Sequence, residues 1–276
     1  MVVRYFSAIH LALTNKLKCK NYNNKINIKK KRGMDMSLEL NKIYNMDFNE
    51  GFENIDNGSI DLIITSPPYN LGGKFHTGNT RYNKAYDVYS DNIPEEIYQQ
   101  QQIDFLNKCY DKLQDGGSMF YNHKPRIKEG VCIHPLEWIL KSKFILKQEI
   151  VWKNRSQNFD KIRFYPFSER IYWLVKNPKT KLFNEVGLSD VWEDIKNKKR
   201  DSLHKATFPI ELPLTIIKCF KDAKVILDPY MGIGTTAKAV ITYNKEFNDD
   251  KKYIGFDISE QYCERAKSDI EDIYIN

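Results

Sequence analysis

"DLIITSPPYN", residues 61–70, runs three aliphatic side chains into a serine, two prolines, a tyrosine and an asparagine. Leu62, Ile63 and Ile64 form a short apolar run bounded by turn formers, which predicts a buried strand over residues 61–65. Two prolines cannot continue a ladder, and they stiffen the backbone around them. A strand that ends in a stiff turn holds side chains and carbonyls in place, as a catalytic or binding site requires. A plain strand terminator followed by a surface tyrosine fits the same ten residues. The rest of the chain decides between the two.

Downstream and upstream, strands alternate with helices. "KIYNMD" (42–47) is a short strand ending in Asp47, with a helix to about Ile55. Residues 71–93 are a long loop rich in Gly, Asn, Tyr and Lys, of a kind that is usually functional or mobile. A helix follows from Pro94 to about Leu113, with Glu95 and Glu96 at its positive end, and stops at "DGG". Strands are expected at "SMFYN", "QEIVWK" (148–153), "RIYWLVK" (170–176), "KVILD" (224–228) and "YIGFD". Helices are expected from Pro209 to Phe220, over "GTTAKAVITYN", and from Ser259 onward. This alternation predicts a single open, mostly parallel twisted sheet with helices on both faces, an α/β class. No internal repeat is visible.

Composition narrows the function classes. With 276 residues and 41% hydrophobic residues, the chain is long enough for a packed core. No apolar run of about 18 residues is present to span a membrane. The five cysteines are scattered without a C-x-x-C pair, which fits reduced thiols in a cytoplasmic protein and provides no metal site. The net charge of +7 belongs to one end: residues 1–33 hold nine Lys or Arg and no acid, leaving 34 basic against 36 acidic residues elsewhere. That stretch is expected to be a disordered basic extension, with Met34 and Met36 as alternative starts. Its composition also suits an organelle presequence. Any nucleic-acid binding by the body must therefore rest on local patches.

A second motif, "VILDPYMGIGTTA" (225–237), is a strand, a glycine turn and a helix start. Gly232, Gly234 and Ala237 fit G-x-G-x-x-G/A, with Asp257 ending the next strand about 20 residues on, as in a dinucleotide site. An NAD-dependent oxidoreductase thus competes. Only 48 residues follow Asp228, too few for the two-half dinucleotide unit. Asp228-Pro229 also sets a carboxylate at the strand tip, awkward beside a pyrophosphate and apt for an ammonium.

Asp-Pro-x-x-Gly-x-Gly-Thr-Thr (228–236) paired with Thr-Ser-Pro-Pro-Tyr (65–69) resembles the β-class DNA amino-methyltransferases that modify cytosine N4 or adenine N6. The resemblance covers about residues 38–273. It implies S-adenosyl-L-methionine as cofactor and double-stranded DNA as substrate. It also implies a methyltransferase domain over 34–276, with DNA-recognition loops at about 71–93, 153–168 and 177–205. On the cofactor side it assigns Asp228 with Pro229 to the methionine ammonium, and Gly232, Gly234, Thr235 and Thr236 to the turn passing the ligand. Asp257 is assigned to the ribose hydroxyls, Asp47 to the adenine amino group, and Thr207 and Pro209 of "HKATFPIELP" to the methionine part. An Asp ending a strand is also a common helix cap, so Asp47 carries both readings. On the catalytic side Ser66 Oγ and the Pro67 carbonyl would accept the amino hydrogens, Pro68 would stiffen the turn and Tyr69 would stack on a flipped base. Cytosine C5 chemistry is excluded, because none of the five cysteines follows a proline.

Ser66, where adenine enzymes commonly carry Asp, leans toward cytosine N4, with adenine N6 as the alternative. RNA and protein-glutamine methyltransferases more often carry Asn there. A non-catalytic DNA-binding subunit is the rival from another class. Lys74–Arg81, "KNRSQNFDKIR" (153–163) and "KNKKRDSLHK" (196–205) are candidate phosphate and groove contacts. A chain this compact is expected to act as a homodimer or on a short site, beside a cognate restriction endonuclease.

Overall fold

The computed structural model describes residues 38–71, 92–154, 162–195 and 207–275. In chain order they form β1 (Lys42–Asn45), α1 (Phe48–Glu53), β2 (Ile60–Thr65), α2 (Glu95–Lys112) and β3 (Leu113–His123). Next come β4 (Arg126–Lys128), β5 (Val131–Ile133), α3 (Leu136–Ile139), β6 (Ile145–Trp152), β7 (Glu169–Val175) and β8 (Val191–Trp192). The last elements are α4 (Glu211–Lys218), β9 (Val225–Asp228), α5 (Thr235–Phe247), β10 (Lys252–Asp257) and α6 (Glu260–Ile275).

Eight strands make one sheet in the order β1-β10-β9-β2-β3-β7-β6-β8. The first five are parallel, and β7 runs antiparallel to both β3 and β6. Side chains alternate between two packed layers. Leu62 and Ile64 of β2 face one core with Ile216, Val240 and Ala266 from α4, α5 and α6. Ile63 faces the other with Phe52, Phe105 and Trp138 from α1, α2 and α3. Burial on both faces explains why the parallel strands read as near-continuous apolar runs.

The strand motif of the opening decapeptide is thereby confirmed, and its neighbour is β9 from the far end of the chain. Asp61 fixes that pairing at its start: Oδ2 accepts from the backbone N–H of Lys224 at 2.9 Å and Val225 at 2.7 Å. Carboxyl ends of the parallel strands share one edge with the amino end of β7, because Arg170 lies opposite His123 in the antiparallel register.

Three details differ from expectation. β3 begins at Leu113 rather than at Ser118, with a register shift opposite residues 60–62 that takes up "QDGG". Gly117 allows it, since a Cβ there would stand 2.8 Å from the Leu113 side chain and 2.9 Å from the Asp61 carbonyl. The hairpin β4–β5 and the short α3 carry too little periodicity to read from sequence. Part of the expected loop 177–205 is an edge strand, β8, whose Trp192 is buried.

Asp61→Ala leaves two backbone donors at the β2–β9 junction unpaired. We expect a loss of about 1–3 kcal/mol in urea unfolding, with the m-value unchanged. A stability equal to wild type removes Asp61 as the pin of this junction.

Candidate active site

Both motifs reach the same sheet edge, and a hydrogen bond joins them. Thr65 Oγ1 at the end of β2 donates to Asp228 Oδ1 at the end of β9, 2.8 Å away across 163 residues of chain. Asp228 also accepts from Tyr230 N–H at 3.1 Å and Thr236 Oγ1 at 2.6 Å. Burial pushes its carboxyl up to about 6, and hydrogen bonds from Thr236, Thr65 and Tyr230 pull the other way. Asp228 is 1% exposed and does not line the cavity, so it underlies the glycine turn instead of presenting itself at the surface of the pocket.

That turn is built by two left-handed glycines, Gly232 at φ 54° and Gly234 at φ 81°. Gly232 lines the cavity and donates its N–H to Asp257 Oδ2 at 2.8 Å. Gly234 does not line it. It is the N-cap of α5, and a Cβ there would lie 2.9 Å from Ala266 Cβ, so this glycine serves helix packing. Asp257 Oδ1 accepts from Ser259 N–H at 2.9 Å, which ties β10 to the start of α6.

A cavity of about 360 Å³ opens over these strand ends. Of the residues expected from sequence, Asp47, Ser66, Pro68, Thr207, Pro229, Gly232, Thr235 and Asp257 line it. Pro67, Tyr69, Pro209, Asp228, Gly234 and Thr236 stand behind the lining. Asp47 caps α1, its Oδ1 accepting from Asn49 N–H at 2.8 Å, and it faces the cavity as well. Phe48, Phe105 and Tyr230 form an aromatic cluster in the wall, with ring centroids 5.0–5.4 Å apart. Asp47, Asp104 and Asp257 against Lys108 make the described lining net acidic. An adenosyl group carrying sulfonium and ammonium charges fits that donor set; a pyrophosphate does not.

Around the double proline, the side chains form a second network. Tyr98 Oη donates to the Pro68 carbonyl at 2.7 Å. His123 Nε2 lies 2.7 Å from Tyr98 Oη, and Nδ1 meets the Lys124 backbone, 2.8 Å from its nitrogen and 2.9 Å from its carbonyl. Burial holds this imidazole well below its ordinary pKa, hence neutral. The Pro67 carbonyl accepts from no described residue. Tyr69 is 8% exposed, with its ring against His123 at 4.4 Å. The expected open stacking platform is therefore one ring face at most. Its hydroxyl donates to Glu169 Oε2 at 3.1 Å, accepts from Asn122 Nδ2 at 2.8 Å and stands 2.9 Å from Ser66 Oγ. Asn122 is 4% exposed, and its Oδ1 meets no donor among the described residues.

After Tyr69 the chain leaves through Asn70, in the left-handed region at φ 56° that Asn tolerates. Asn70 donates to the Ile93 carbonyl at 2.9 Å and accepts Ile93 N–H at 2.8 Å, closing the base of the segment between them. The candidate contacts at Lys74–Arg81 and 196–205 lie outside the described residues, as do residues 1–33 and most of 153–163. Tyr98, Asn122, His123, Asn154 and Glu169 were not singled out from sequence. Asn122 and His123 offered one signal, two polar residues ending an otherwise apolar strand.

The DNA methylase family, which takes in the N6 and N4 enzymes, matches residues 60–268. The chain belongs to that family. It is an S-adenosyl-L-methionine-dependent DNA amino-methyltransferase. The Type II methyltransferase M.BglII of Bacillus subtilis is 25% identical over 264 residues, covering 82% of this methylase and 68% of the relative. M.ScaI of Streptomyces caespitosus is 25% identical, over 83% and 81% of the two chains. Among solved structures, the cytosine-N4-specific PvuII DNA methyltransferase superposes with a TM-score of 0.64 at 20% identity, over 84% and 90% of the two chains. The complex of M1.HpyAVI with S-adenosylmethionine gives 0.56 at 20%, over 83% and 98%. Among the methylase's described residues no helix is long and apolar enough to cross a membrane.

Asp228 gives this site a pH signature. Its folded-state value near 6 lies above the ordinary 3.8, so folding takes up a proton between the two. The Asp228 contribution is complete below about pH 4 and is withdrawn as pH rises to about 6, by roughly 3 kcal/mol. Asp228→Asn should remove that gradient in the ligand-free protein. Urea unfolding at pH 4.5 and 7 should show the variant gaining on wild type at the higher pH. A constant difference would assign the proton to another group.

Proposed function

We propose that the methylase transfers a methyl group to the N4 amino group of a cytosine rotated out of double-stranded DNA. The carrying observation is the hydroxyl geometry at Ser66. With Tyr69 Oη donating to Glu169, Ser66 Oγ can donate to Tyr69 Oη, which leaves it a lone pair to accept beside the 3.4 Å contact from Asn122 Nδ2. An exocyclic amino group is a poor nucleophile while its lone pair is delocalised into the ring. Ser66 Oγ and the Pro67 carbonyl take its two hydrogens, which lets the nitrogen pyramidalise. These groups act by position and electrostatics, without a covalent intermediate on the protein.

S-adenosyl-L-methionine, when bound, supplies an electrophilic methyl on a sulfonium, whose carbon–sulfur electron pair stays with sulfur. Asp257 and Asp47 would hold its ribose and adenine ends, and Pro229, Gly232, Thr235 and Thr207 its methionine part. Asp228 would act on the ammonium through the turn it supports. A flipped base would meet Tyr69 from the side of its ring away from His123. Ser at position 66 puts cytosine first and adenine N6 second. Loops at about 71–93, 153–168 and the undescribed part of 177–205 would read the sequence. The bacterial Type II relatives support a cytoplasmic restriction–modification setting with a cognate endonuclease. A homodimer would extend the recognised site.

Ser66→Ala should cut single-turnover methyl transfer by about a hundredfold, with DNA and cofactor affinities within twofold of wild type. Mass spectrometry of nucleosides from methylated DNA should show 4-methylcytosine; 6-methyladenine would select the second reading. Full transfer by the folded variant would remove the double-proline turn as the active site. Asp257→Ala should weaken S-adenosyl-L-methionine binding by roughly ten- to a hundredfold in calorimetry. An unchanged affinity would detach Asp257 from the ribose.

A further inference from the structure

Methyl transfer to an amino group creates a proton that has to leave. The new bond puts a positive charge and one excess hydrogen on the nitrogen, next to Ser66 and its buried neighbours Tyr69 and Asn122. Glu169 is the only carboxylate recorded in contact with this network among the described residues. Its Oε2 accepts from Tyr69 Oη at 3.1 Å and Asn122 Nδ2 at 3.1 Å, and its Oε1 accepts from Asn154 Nδ2 at 2.8 Å. It begins β7 at the sheet edge that carries Ser66, and it is half-buried, so it also has a route to solvent. Of the neighbouring cations, Arg170 pairs with Glu149 at 3.0 Å, and Lys124 lies over the ring of Tyr69 itself at 5.8 Å.

We propose that Glu169 is the proton acceptor of the reaction, acting through Tyr69 and Ser66. This rests on the reading of Ser66 as the acceptor of the target amino group. An N–H bond breaks and its proton passes to Ser66 Oγ. The Ser66 hydroxyl proton passes 2.9 Å to Tyr69 Oη, and the Tyr69 proton passes 3.1 Å to Glu169 Oε2. Serine and tyrosine end as they began. The amine is neutral, and Glu169 becomes a carboxylic acid that returns its proton to solvent. The relay also gives the tyrosine hydroxyl a task that stacking on a base does not require. Asn122 and Asn154 hold the carboxylate in line.

The test uses the full chain with Glu169→Gln, Tyr69→Phe and the double variant, beside Ser66→Ala. Phe keeps the ring against His123 and removes only the oxygen. Expected is a single-turnover rate about a hundredfold below wild type for Glu169→Gln. Tyr69→Phe should match it, and the double variant should fall no further, because both break one path. KM for DNA and for S-adenosyl-L-methionine should stay within threefold, and Glu169→Asp should restore part of the rate. A Glu169→Gln rate within threefold of wild type overturns the relay. So does a loss confined to KM or melting temperature, or additive losses in the double variant. If Glu169→Gln does not fold, a Tyr69→Phe rate equal to wild type overturns it alone. Should Ser66→Ala keep its rate, the fault lies with the site assignment; should only Ser66→Ala be dead, the relay alone is wrong.

Discussion

The buried carboxylate of Asp228 is the constraint on which the rest of the site depends. Its oxygens are held by donors from the end of β2, from α5 and from the turn between β9 and α5. Removing a charge from water is costly, and burial alone raises this carboxyl toward neutrality. The three donors offset that cost only when β2, β9 and α5 sit in one arrangement. The same group therefore sets the distance between the double-proline turn and the glycine turn. Asp61 does the equivalent work at the opposite end of the β2–β9 pair, so the shared strand pair is fixed along its length.

Two structural tiers follow from that anchoring. The upper tier is the acidic cavity, bounded by Asp47, Gly232 and Asp257 and walled by aromatic rings. The lower tier is the set of residues that never reach the cavity but hold the double-proline turn in place. Tyr98 and His123 act on Pro68, and Asn122 and Glu169 act on Tyr69. Single-face readings of a motif mix the tiers. In Gly-x-Gly, Gly232 belongs above and Gly234 below, where it admits Ala266 of α6.

Local signals made most of the fold legible. The run Leu62–Ile64, the acids after Pro94 and the glycines before Thr235 each placed an element, because burial, helix charge and backbone freedom act over a few residues. Adjacency of strands was legible only through the resemblance that paired the two motifs. What stayed hidden depends on register. Nothing in "YNHK" tells that Asn122 and His123 lie beside Pro68 and Tyr69 rather than in solvent. Glu169 is separated from Tyr69 by 100 residues and reaches it through an antiparallel pairing that periodicity does not specify. Asp228 shows the converse: its importance was legible, but a carboxylate at a strand tip reads alike whether it faces a ligand or is enclosed beneath one.

The clamp between Asn70 and Ile93 bears on how such a protein diversifies. One amide side chain bonds both backbone groups of Ile93, so the two ends of the intervening segment are set by the scaffold and not by the segment itself. Arg126 reinforces the first end through the Asn70 carbonyl and the start of α2 through Glu95. The entropy of closing a flexible segment grows only with the logarithm of its length, about 0.6 kcal/mol per doubling. Insertions and replacements between residues 71 and 92 thus leave the geometry at Ser66 nearly untouched. Lineages can exchange one segment here for another while the sheet edge beneath it is inherited unchanged.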